Sequence, residues 1–186
     1  MPRILRLPRN NMDHKDLKSS GFWVGQLFML AGTVLGVYMA AQAGLYQALQ
    51  YDAIIDMQNN YYLRLSLHDE LHDNVQTLRS YTEQLAHPGG TDLRQLHPEL
   101  GLMVWESMKF SAVTLETPSQ FLSESQRFYQ QVADLVSRVE SRVIGASFAI
   151  KRINELCDVM EQKTLPALEE SYQALRADLE QRGAGL

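Results

Sequence analysis

Two imidazoles one helical turn apart are the first feature of this sequence that could do chemistry. In His68-Asp69-Glu70-Leu71-His72, the histidines stand at i and i+4, the spacing by which one helix face offers two ligands to zinc or copper. The order is not that of a zinc-protease helix, because the second position is Asp69 and Glu70 points elsewhere. Two ligands make only a surface chelate, and a buried centre would need a third from another helix, for which His97 and Glu106 are available. A solvated polar face is the expected reading. Paired Glu-x-x-His motifs for a di-iron bundle, a C-x-x-C-H haem attachment, a G-x-S-x-G nucleophile elbow and a glycine-rich phosphate loop are all missing from the sequence. Cys157 is the only cysteine and falls at an apolar helical position, where a small buried hydrophobe is expected rather than a reactive thiol. No catalytic residue, metal or cofactor is therefore expected, and the chain is read as non-enzymatic.

The residues singled out instead are small. Gly32, Gly36, Ala40 and Gly44 recur every fourth position and would form one ridge along a helix. In lipid, helices gain little from burying apolar surface, so close backbone approach favours association, and small side chains permit it. Gln26, Gln42 and Gln47 add amides that could bond across to a neighbouring helix. No acidic or basic side chain lies at mid-bilayer depth, which argues against a proton pathway or a transporter core.

The ridge requires an element to carry it, and the charge pattern supplies one. Between Lys18 and Asp52 there is no Asp, Glu, Lys, Arg or His. A helix from Phe22 to Tyr46 would span about 37 Å, enough to cross a hydrocarbon core of about 30 Å. Phe22 and Trp23 at one end, with Tyr46 and Tyr51 at the other, fall where aromatic rings favour the headgroup layer. A cleavable signal ending near Ala41-Gln42-Ala43 is the competing reading, but the apolar run is longer than a usual signal core. Five basic residues (Arg3, Arg6, Arg9, Lys15, Lys18) precede the span, and only Arg64 lies within about twenty residues after it. The expected order is a cytoplasmic tail over 1–21, a membrane helix over 22–46 and an extracytoplasmic domain over 47–186, periplasmic if the membrane is a bacterial inner membrane.

Beyond the first twenty residues, twenty acidic side chains stand against twelve basic ones. So acidic a domain is a poor partner for a phosphate backbone, and nucleic acid is set aside. Apolar residues at three- and four-residue steps continue from Leu45 through Leu85 without Pro or Gly, so the membrane helix is expected to run on to His87-Pro88-Gly89-Gly90. A second helix is expected over Leu96 to Glu116 and a third over Gln120 to Lys163. A last one is expected from Leu165 to about Gln181, with Thr164 as its cap. The fold class is therefore all-α: a single transmembrane helix continuing into an antiparallel helical bundle outside the membrane.

These features together point to a non-catalytic accessory or scaffolding subunit of an inner-membrane complex. It would dock through the ridge onto a larger membrane protein, or onto a second copy of itself. The alternative is a membrane-anchored bundle that senses a small ligand, and a bundle enzyme with a buried cofactor stands last.

Overall fold

The computed structural model describes residues 20–87 and 96–185. Among these residues the structure is helical, without strands: α1 (Ser20–Ala86), α2 (Met103–Met108), a 3-10 turn (Ala112–Glu116), α3 (Ser119–Glu140), α4 (Ala146–Val159), a π-helical turn (Met160–Thr164) and α5 (Leu165–Gln181). The tail over 1–19 and the Pro88-Gly89-Gly90 stop lie outside the described residues, although α1 ends at Ala86 as that stop implies.

The chain divides into two units, one up to Tyr51 and one from Asp52 onward. In the first unit every described residue of α1 is exposed. This part is long and apolar enough to cross a membrane.

The second unit has a continuous core. Leu67, Leu71, Val75, Leu78 and Leu85 of α1 meet Phe128, Val132 and Val139 of α3, Ile153 and Cys157 of α4, and Leu168 of α5. Hiding each such side chain contributes about 1.5–3 kcal/mol, and this is what fixes the helices to one another. Tyr61, Tyr172 and Leu179 form a smaller cluster. Partners of α1 descend in number as α1 ascends: Gln58 bonds Gly185, Arg64 bonds Ser171, and Arg79 bonds Asn154. The α4–α5 run therefore lies antiparallel to this part of α1. The segment before α3 does the same, with Gly101 at Asn74 and Glu116 at Asn60.

Three expectations need correction. Leu96 to Glu116 is not one helix: residues 96–102 are irregular, and only α2 and the 3-10 turn are helical. Pro98 cannot donate to a helix, and β-branched Val113 and Thr114 favour a short tight turn over a longer helix. Gln120 to Lys163 is also interrupted, because α3 stops at Glu140 and the chain turns through Arg142 at φ 59°. There the Val143 N–H returns to the Arg138 carbonyl at 2.9 Å, and Gly145 leads into α4. Val143 and Phe148 are exposed around this corner. Finally, Thr164 does not cap a new helix. Its backbone is helical (φ −74°, ψ −46°) and α4 passes into α5 through the π turn. A widened turn relieves the clash that the Pro166 ring makes with the preceding turn of a regular helix.

Candidate functional site

The ridge residues Gly32, Gly36, Ala40 and Gly44 all lie on the exposed part of α1. A methyl group added at Gly32, Gly36 or Gly44 would meet no atom within 4 Å. At 3.6 residues per turn this ridge is opposite the stripe Leu27, Leu30, Val34 and Tyr38. The segment thus has one flat, small-residue face and one face of large side chains. Thr33 directs its hydroxyl back to the Met29 carbonyl at 2.9 Å, so it places no unmet donor on the surface.

The histidine pair is on the second unit. The rings of His68 and His72 stack with centroids 6.3 Å apart and planes 5° from parallel, and His68 also meets the Tyr172 ring at 5.7 Å. His68 Nδ1 lies 3.1 Å from Asp69 Oδ1. Neither proposed third ligand joins them: His97 Nδ1 is 2.6 Å from Glu140 Oε1, and Glu106 is exposed on α2. Among the described residues no group of three or more His, Cys, Asp or Glu side chains is placed to hold a metal ion. Cys157 is fully buried, and burial raises its thiol pKa to about 11, which makes thiolate chemistry unfavourable.

Sequence reasoning missed the polar clasps that hold the second unit. Glu70 accepts the backbone N–H groups of Val104 and Trp105 at 2.6 and 2.9 Å, so a carboxylate on α1 serves the first turn of α2. Asn74, one turn on, pairs with both backbone groups of Gly101, donating at 2.7 Å and accepting at 2.8 Å. The Tyr129 hydroxyl from α3 reaches Glu70 at 3.2 Å, and burial together with that carboxylate keeps its proton on well above the ordinary phenol range.

A second clasp centres on buried Arg64, which donates to the Ser171 hydroxyl at 2.7 Å and to the Glu116 carbonyl at 2.9 Å. Burial lowers the pKa of this guanidinium, and Glu116 opposes that. In a third, Arg79 reaches Asn154, Asp158 and Glu161 at 2.9, 2.5 and 2.6 Å, and the two carboxylates hold its charge firmly in place. The available signal was polar residues recurring within an otherwise apolar period on α1, which a search for catalytic spacings passes over.

No family model, curated protein or solved structure matches this chain. Within the second unit Glu70, Asn74, Arg64 and Arg79 are committed to backbone and to side chains of other elements, which positions those elements. The exposed surface with the least explanation inside the chain is the apolar part of α1.

Proposed function

We propose that the chain is a single-pass membrane protein acting as a non-catalytic accessory or scaffolding subunit. Its helix over Phe22 to Tyr46 docks against a larger membrane protein, or a second copy, through the ridge Gly32, Gly36, Ala40 and Gly44. The tail over 1–21 is cytoplasmic and the acidic domain, an antiparallel helical bundle, is periplasmic on a bacterial inner membrane.

The observation that carries this reading is the complete exposure of the uncharged part of α1. So many large apolar side chains facing water would be strongly unfavourable, and a lipid bilayer removes the cost. The excess of Lys and Arg before the span supports the orientation. The open space at Gly32, Gly36 and Gly44 supports a partner, because none of the described residues packs over those positions.

The test is Gly36→Ile, read by co-purification from mildly solubilised membranes. Isoleucine is favourable in the bilayer, so insertion should survive while the enlarged ridge holds the partner backbone away, and association should weaken by about tenfold. Val34→Ile, on the opposite face, should leave association at the wild-type level. Retention of every partner at wild-type stoichiometry by Gly36→Ile would remove the ridge from the argument. A wild-type protein with no stable partner would favour ligand sensing.

A further inference from the structure

Within the second unit, the described large apolar side chains that are more than 80 % exposed are Met103, Phe110 and Leu115, at 81, 92 and 89 %. All three lie on one strap, the segment 96–116 that Glu70, Asn74 and Arg64 fasten to α1. Met103 and Phe110 are seven positions apart. Because α2 continues through a turn at Lys109 and Phe110, these two side chains share one helical face. The opposite face is already used, with Met108 buried and Trp105 tilted against Tyr129 at 5.7 Å. Thr114 ties the 3-10 turn back to the Met108 carbonyl at 2.7 Å, which fixes Leu115 beside the end of this face. Beside Met103, Leu100 and Leu102 line an open groove of about 630 Å³ against Val132 and Val136 of α3.

The charge around these residues identifies what would cover them. Over 96–116 the strap carries Glu99 and Glu106 against the single cation Lys109, and its third carboxylate, Glu116, is taken up by Asn60 beside Arg64 of α1. Glu106 is exposed and lies between Met103 and Phe110, and Glu99 lines the groove, where Glu140 is already met by His97. A second copy docking by the same face would bring carboxylates against carboxylates. A basic, amphipathic segment would satisfy both the apolar anchors and the carboxylates.

We infer that the outward face of the strap, with the groove beside it, is a docking surface for a helix of another protein. That helix presents apolar side chains at three- to four-residue spacing, flanked by Lys or Arg. This rests on the accessory-subunit reading and names the second surface by which such a subunit would hold its complex. The strap is held by side chain to backbone bonds from α1, so its anchors are presented already ordered, which lowers the entropy lost on binding.

The test places a photoreactive phenylalanine analogue at Phe110 of the full chain in its native membranes, with a control probe at Glu169 on α5 and another at Met39, an exposed large side chain beside the ridge that the probe replaces without filling it. The expected result is a cross-link from position 110 to a different protein, mapped to a basic peptide with apolar residues at helical spacing. Glu99→Lys with Glu106→Lys should then cut its yield about tenfold without changing the thermal midpoint. Cross-linking to lipid or to a second copy of this chain, a yield unaffected by charge reversal, or a yield equal to that at position 169 would overturn the inference. Capture at position 39 without capture at 110 removes the strap surface and leaves the accessory reading standing. Capture at neither removes both.

Discussion

Before Asp52, α1 exposes its apolar side chains and carries no charge. After it, the same helix buries Leu67, Leu71, Val75 and Leu78 and sends Arg64, Glu70, Asn74 and Arg79 to named partners. Both stretches satisfy their backbone donors internally, so helix formation does not distinguish them. The difference lies in what each surface requires from its surroundings. In the second unit the apolar face of α1 has a core and Arg64, Glu70, Asn74 and Arg79 have partners, while Met103, Phe110 and Leu115 of the strap are left exposed. The first unit meets none of its apolar requirement within the chain, and its small-residue face is open. Among the described residues, the apolar surface before Asp52 is thus one that no core covers.

The largest expected effect tests that contrast with one substitution made twice. Leu71→Ala removes a fully buried side chain and should cost about 2–5 kcal/mol, lowering the thermal midpoint of the second unit by roughly 10 °C. Leu30→Ala, at a position 63 % exposed, should leave that midpoint where it was. Equal shifts would mean that the two stretches are not energetically distinct. A smaller effect is expected at Glu70. Glu70→Ala takes the acceptor from the Val104 and Trp105 N–H groups and should cost about 1–3 kcal/mol. Hydrogen exchange at those two amides should accelerate while the amides of α1 around Leu78 keep their protection. Unchanged exchange at Val104 and Trp105 would show that the clasp does not hold the strap.

Much of the fold was legible because period and punctuation agree with it. The Leu67-to-Leu85 rhythm marks a buried helical face, and the charge gap between Lys18 and Asp52 marks an apolar stretch that stays outside any core. What was not legible had local signals that pointed elsewhere. Nothing at Arg142 announces a positive φ, since a non-glycine residue adopts it only when the tertiary structure compensates for about 1–2 kcal/mol of strain. Thr164 and Pro166 have the composition of a helix start, yet a π turn absorbs the proline and Thr164 donates to Glu124 instead. Nothing in the local pattern at Glu70 and Asn74 announces their acceptor and donor roles, because these depend on a strap more than twenty-five residues away. As for the ridge, its spacing was visible in sequence, and its exposure and open surroundings were visible only in the structure.

The smallest expected effect separates the two regions by pH. Glu124 accepts from Lys163 at 2.8 Å and from Thr164 at 2.9 Å. Burial acts to raise its pKa, but those bonds and the charges of Lys163 and Arg127 outweigh it, so the carboxyl titrates below its ordinary value of 4.5. A depressed folded-state pKa means that the contribution to stability is fully present above the unfolded-state value. It fades as pH falls through that value toward the folded one. Glu124→Gln should therefore lower the midpoint of the second unit by about 2–4 °C at pH 7, the scale of one charge-assisted contact. The gap between variant and wild type should close as the pH falls below the ordinary carboxylate value and on through the lowered one, where the wild-type carboxyl is itself becoming neutral. The stretch between Lys18 and Asp52 has no carboxylate or imidazole to protonate, so its retention in membranes should stay constant over the same range. A gap that persists undiminished in acid would mean that Glu124 acts by shape and not by charge. A membrane retention that follows the same titration would break the separation between the two regions.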